Sequence, residues 1–131
     1  MAAFTVPVVI LLVIMVFSRV WPLGEECILR TDMYHQYAPF FSELREKLQN
    51  GGSLLFTWDL GLGVNFTAIF AYYLANPLNW LVALCPEDHV IEFMSILILV
   101  RTGLCGASMA YCLQKRSPES GFGAFLFGMV Y

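Results

Sequence analysis

The 131-residue chain is 59% hydrophobic and only 13% charged, about half the ~25% charge content of a soluble domain. Its apolar residues come in long runs rather than spaced stripes, which points to an integral membrane protein instead of a soluble globule. The net charge is -3 and there is no basic patch, which argues against nucleic acid as a partner.

In chain order, the first apolar run covers about residues 2–21 and is expected to cross the membrane. Arg19 can snorkel from its end and Trp21 suits the headgroup belt. A cleaved signal peptide fits less well, because a basic lead and an A-x-A-like site are both lacking. Pro22 and Gly24 end this run. Residues 24–89 then read as an external loop.

Within that loop, Pro39 suits the first turn of a helix and Gly51 its end, so the predicted helix covers about 39–50. Phe40, Leu44 and Leu48 recur every four residues, and Glu43 and Lys47 form an i,i+4 pair assigned to the wet face. Such a helix lies on a membrane surface. Residues 65–86 are apolar, but Asn76-Pro77 divides them into two short helices, Asn76 capping the second. Neither half alone spans ~30 Å at ~1.5 Å per residue. A re-entrant or interfacial hairpin is favoured over a kinked span.

Residues 90–113 form the next predicted span, and Lys115 and Arg116 after it mark the cytoplasmic side. A third apolar run, 121–131, is about half the ~20 residues a span needs, so the sequence reads as the N-terminal piece of a longer chain. The predicted fold class is therefore all-α integral membrane, with transmembrane helices joined by an external loop carrying amphipathic or re-entrant helices. The four cysteines, Cys27, Cys85, Cys105 and Cys112, lack zinc spacing, and a Cys27–Cys85 disulfide is the one pairing an outer location would allow.

Three places carry candidate chemistry. In "TDMYHQYAPFF" (31–41), Asp32 follows the first span. Its carboxylate is placed to act as a general base or to bind a cation at the membrane surface, or it is a solvated helix cap. On a helical backbone Asp32, His35 and Gln36 share one face by i,i+3,i+4 spacing.

Arg101 falls near the middle of a span, where insertion costs ~2.5 to 3.5 kcal/mol. It shares a stripe with Cys105, Ser108 and Cys112, while Gly103, Gly106, Ala107 and Ala110 offer a close-packing surface away from it. A buried anion is its natural partner, either a phosphate or a structural carboxylate.

"TWDLGLGVNF" (57–66) lacks the third glycine of a dinucleotide loop. It reads as a tight turn in which Trp58 and Asp59 are available to stack on and hydrogen-bond a sugar, or as plain turn chemistry. His89 reads as a solvated boundary.

Taken together, "TDMYHQYAPFFSEL", "GGSLLFTWDLGLGVNFTAIFAYYLANPLNWL" and "GLCGASMAYCLQK" resemble the start of bacterial YfhO-family membrane proteins. The matching elements are D-x-x-x-Q-Y (Asp32, Gln36, Tyr37), G-x-G-x-N-F (Gly61, Gly63, Asn65, Phe66) and AYYLANPLN. That family resembles the multi-spanning GT-C glycosyltransferases, which move a sugar from a polyprenyl-phosphate carrier to an acceptor outside the cytoplasmic membrane. The resemblance implies an envelope polymer or lipid acceptor, such as lipoteichoic acid. It also implies an essential acid just after the first span, the position of Asp32. His35, Gln36, Tyr37, Trp58, Asp59 and Asn65 become expected sugar or acceptor contacts, with Arg101 a candidate to offset the leaving phosphate. Some GT-C enzymes hold a divalent metal at the loop acid and others do not; no metal ligand set is indicated here. The alternatives are a lipid-linked sugar flippase or transporter, and a non-catalytic envelope-assembly protein.

Overall fold

A computed structural model describes residues 1–130 of the chain. Their regular elements are all helices, joined by turns and irregular stretches, and among the described residues no strand forms. Two isolated bridge pairs, Val20 with Glu26 and Thr57 with Val64, close local turns. The chain divides into two compact units, one of residues Met1–Ile28 and Ser95–Tyr131, the other of Leu29–Met94.

In the unit formed by the two ends of the chain, α1 (Ala2–Phe17) is apolar on all sides. It stops at Phe17, short of the residue 21 expected from hydrophobicity alone. The backbone is the reason. Arg19 takes φ +53, Glu26 N–H donates to the Arg19 carbonyl (2.9 Å) and Trp21 N–H to that of Glu26 (2.9 Å). A Cβ on Gly24 would lie 2.1 Å from the Arg19 oxygen, so this turn closes only around glycine.

The long helix α4 runs over Val90–Arg116. With the preceding turn it is the one helix among the described residues that is long and apolar enough to cross a membrane. α1 and α5 (Gly121–Val130) are apolar but shorter; residue 131 of the third predicted run lies outside the described residues.

Small residues let these helices meet, because without side chains the backbones approach closely. A Cβ on Gly103 would strike Phe4 and Val8 of α1. One on Gly106 would fall 2.4 Å from the Ala3 carbonyl and 2.6 Å from that of Gly128, and one on Gly128 would meet Ala110 at 2.7 Å. The predicted packing surface at Gly103, Gly106 and Ala110 is thus occupied by α1 and α5.

In the unit Leu29–Met94, α2 (Ala38–Asn50) begins with Pro39 in its first turn and ends at Gly51 in the left-handed region, φ +68. Gly51 N–H and Gly52 N–H both donate back to Lys47 O, closing the helix end. The apolar segment 65–86 breaks at Asn76-Pro77 as expected. Its first half is α3 (Phe66–Ile69), widened into a π turn at Phe70–Leu74. Its second is a 3₁₀ helix, Pro77–Leu84, capped by Asn76 Oδ1, which accepts from Leu78 N–H at 3.0 Å.

Leu44, Phe66, Leu74 and Val82 are fully buried and form this unit's core. Each contributes about 1.5–3 kcal/mol by leaving water. Phe40 and Tyr37 meet Tyr73, and Phe41 meets Phe93. Arg45 Nε donates to Cys85 O (2.6 Å) and Gln49 Nε2 to Ala83 O (2.8 Å), fastening the 3₁₀ helix to α2.

One expectation is corrected. Glu43 and Lys47 do pair, at 3.1 Å, but their side chains are only 6% and 10% exposed. They are part of the interior and not of a wet face. No disulfide joins the cysteines, so the Cys27–Cys85 pairing does not form.

Candidate functional site

Asp32 has αR backbone angles and heads a π turn over Met33–Tyr37, which Ala38 N–H closes on Met33 O. In a turn closed by i→i+5 bonds the helix is wider. The i,i+3,i+4 face expected for Asp32, His35 and Gln36 presumed 3.6 residues per turn, which this π turn does not keep. Asp32, His35 and Gln36 are exposed, whereas Tyr37 is half-buried against Tyr73 at 4.9 Å. Tyr34 meets His35 edge-on at 5.4 Å. The carboxylate of Asp32 is thus presented at the surface, where an incoming group can reach it.

The 57–66 segment folds as a reversing turn. Thr57 and Val64 exchange both backbone hydrogen bonds, at 3.1 and 2.9 Å. Gly61 and Gly63 take φ +61 and +100. A Cβ on Gly63 would lie 2.8 Å from the Phe56 and Trp58 rings, while nothing surrounds one on Gly61. Gly63→Ala is accordingly expected to cost about 1–3 kcal/mol, the usual strain at such a backbone angle. Gly61→Asn should cost far less, because Asn enters the left-handed region with little strain. Thermal unfolding of the detergent-solubilised protein checks the contrast.

The turn carries Trp58, three-quarters exposed and edge-on to Phe56 at 4.9 Å, so its indole is open to a ligand. Asp59 bends back to Thr57: its N–H donates to Thr57 Oγ1 (3.2 Å) and its Oδ2 lies 3.2 Å from that hydroxyl. Thr57 Oγ1 also makes a short hydrogen bond to buried Glu43 Oε1. A hydroxyl has one proton, so Thr57 serves one of the two carboxylates at a time and couples them.

Lys47 completes the network. Its ammonium pairs with Glu43, donates to Phe56 O (3.1 Å) and sits 5.1 Å from the centre of the Phe66 ring. Asn65 spends its side chain on Ala68 N–H (3.3 Å) as the cap of α3, a structural duty beside the ligand contact expected of it.

This network borders a cleft of about 550 Å³. Ser42, Glu43, Glu46, Gln49 and Asn50 of α2 line it, with Asp59 and Glu87 completing the wall. Sequence reasoning picked out Asp59 but not its α2 partners. The signal was present all the same: 39, 42, 43, 46, 49 and 50 follow a 3.6-residue stripe that is almost wholly polar. A second cavity of about 330 Å³ is lined by Tyr34, Ser42, Asp88 and Ile91, among others. Asp32 borders neither of these two.

Cys85 is buried, its thiol within reach of Pro86 O (3.3 Å) and His89 O (3.2 Å). Desolvation pushes its pKa up against the pull of Arg45, with Glu92 adding to the rise. It therefore stays a neutral thiol and is a poor nucleophile. His89 is exposed, as expected, with Nδ1 3.8 Å from Glu92 Oε2. Among the described residues no three His, Cys, Asp or Glu side chains gather as ligands for a metal ion.

Arg101 belongs to the unit formed by the chain ends. There it lines a cavity of about 410 Å³ with Thr102, Cys105, Gly106 and Gly128. The predicted Arg101–Cys105 stripe thus does border an open space in the helix cluster. Ser108 and Cys112 further along that stripe are exposed.

No curated protein and no solved structure matches the chain. The family described as bacterial membrane protein YfhO matches residues 2–131. With an apolar α4 long enough to cross a membrane and the D-x-x-x-Q-Y and G-x-G-x-N-F elements in place, the chain belongs to the YfhO family of bacterial membrane proteins.

Proposed function

We propose that the chain is part of a GT-C-type inverting glycosyltransferase, moving a sugar from a polyprenyl-phosphate carrier to a cell-envelope acceptor such as lipoteichoic acid. The observation that carries this reading is Asp32: an exposed carboxylate at the head of the π turn, at the sequence position where GT-C enzymes keep their essential acid. Lys115 and Arg116 at the end of α4 favour a cytoplasmic side for that end, and hence an outer location for residues 24–89 in a multi-pass protein of the cytoplasmic membrane.

In this reading Asp32 accepts the proton of an acceptor hydroxyl as its oxygen attacks the anomeric carbon. A new C–O bond forms there while the bond to the carrier's phosphate oxygen breaks, and that oxygen leaves with the electron pair, inverting the centre. His35, Gln36 and Tyr37 border the hydroxyl's approach, and Trp58 offers a stacking face for a sugar. The broken segment Phe66–Leu84 would wall the path of the carrier lipid.

The interrupted helices and the Arg within α4 also favour a second reading, a lipid-linked sugar flippase, because irregular backbone and intramembrane charge are common where a polar cargo passes. Reconstituting the whole protein in liposomes with a radiolabelled polyprenyl-phosphate sugar separates the two. A transferase converts donor to glycosylated acceptor in open membranes. A flippase changes only the leaflet in which the unaltered donor resides.

A further inference from the structure

The cleft of about 550 Å³ has a size suited to a small ligand, within the ~300–1,000 Å³ of typical sites, but its lining is polar. Seven residues of α2, from Pro39 to Asn50, line it. They offer a hydroxyl (Ser42), carboxylates (Glu43, Glu46) and amides (Gln49, Asn50), and Asp59 adds a carboxylate from the neighbouring turn. Ionised carboxylates only accept hydrogen bonds, whereas amides and hydroxyls both donate and accept. A ligand matched to this wall carries several hydroxyls that donate and several oxygens that accept.

The charges narrow the class further. Glu43, Glu46, Asp59 and Glu87 face Arg45 alone among the basic lining residues. Arg45 is already committed to Cys85 O at 2.6 Å and approaches Glu87 at 3.8 Å. Lys47 is turned inward to Glu43, Phe56 O and the Phe66 ring. An anion entering the cleft would meet net negative charge at close range, which opposes its binding. Glu43, 6% exposed and held by Lys47 and Thr57, forms the fixed base of the cleft.

We infer that the cleft between α2 and the 57–66 turn binds a neutral polyhydroxylated sugar ring through Ser42, Glu46, Gln49, Asn50 and Asp59, and rejects the carrier phosphate. This deepens the glycosyltransferase reading and rests on it for the source of the ring, which is either the donor's sugar or a glycosyl unit of the acceptor. Trp58, exposed and next to Asp59 in the chain, is not among the residues that line the cleft.

The test uses the whole protein in detergent and free hexoses, one at a time, in saturation-transfer NMR titrations, with inorganic phosphate as the contrast. Saturable hexose binding is expected, weakened at least tenfold in the double variant Glu46→Ala/Asp59→Asn and unchanged in Glu119→Ala, an exposed acid outside the cleft. Phosphate should neither bind there nor compete. A transfer assay then assigns the source: the double variant raises KM for the donor or for the acceptor, according to which supplies the ring. No hexose binding to the parent protein, unaltered hexose binding in the double variant, competition by phosphate, or unchanged KM values in both arms would overturn the inference. Hexose binding is expected to persist in Asp32→Asn. Loss of the cleft's role therefore leaves the role of Asp32 intact, and the reverse holds as well.

Discussion

Replacing Asp32 by Asn in the whole protein is expected to reduce sugar transfer by about 10²- to 10⁴-fold, the usual contribution of a positioned general base. Asn keeps the size and one acceptor oxygen but cannot take a proton at neutral pH. Asp32 is exposed and its side chain caps nothing in the π turn that it heads, so membrane insertion, yield and unfolding temperature should match the parent protein. The expected signature is a fall in kcat with an almost unchanged KM, because the carboxylate acts mainly in the transition state. Rates measured with a radiolabelled polyprenyl-phosphate sugar check it. Full activity in Asp32→Asn would remove the base from this position.

The second large effect is on the fold. Glu43→Ala is expected to destabilise the unit Leu29–Met94 by about 3–5 kcal/mol, the cost of stripping one partner from a buried ion pair. Lys47, 10% exposed, would keep its charge with no carboxylate beside it, and Thr57 would lose an acceptor. Hydrogen exchange across Leu29–Met94 should accelerate by roughly 10²- to 10⁴-fold. The double variant Glu43→Leu/Lys47→Met removes both charges and should recover most of the protection, since a buried pair replaced by apolar groups of similar size is often neutral. An exchange rate in Glu43→Ala close to the parent's would show that the pair contributes little.

These two residues also show where the sequence was legible. Pro39, Gly51 and Asn76-Pro77 act within a few residues of their own position, so the ends of α2 and the break in 65–86 could be read directly. The small-residue face at Gly103 and Gly106 followed from helical spacing. The burial of Glu43 depended on Thr57, 14 residues away, and no local pattern distinguishes an inward i,i+4 pair from a solvated one.

The end of α1 at Phe17 likewise depended on a turn closed by Glu26. Hydrophobicity continued through that point while the backbone did not. The π geometry at 33–37 and the 3₁₀ form of Pro77–Leu84 left no mark on composition. For the site, the individual residues of interest, Asp32 and Asp59, were visible from residue type and position. The cleft that gathers Asp59 with Ser42, Glu46 and Gln49 needed the turn at 57–66 to be brought beside α2.

The catalytic role of Asp32 requires it to face the outside of the cell. Asp32→Cys, made in a protein whose Cys27, Cys85, Cys105 and Cys112 are replaced, can be tested in intact cells with a membrane-impermeant maleimide. Labelling before permeabilisation is the expected result. Labelling only after the membrane is opened would place residue 32 in the cytoplasm and contradict its role as the base for an external acceptor.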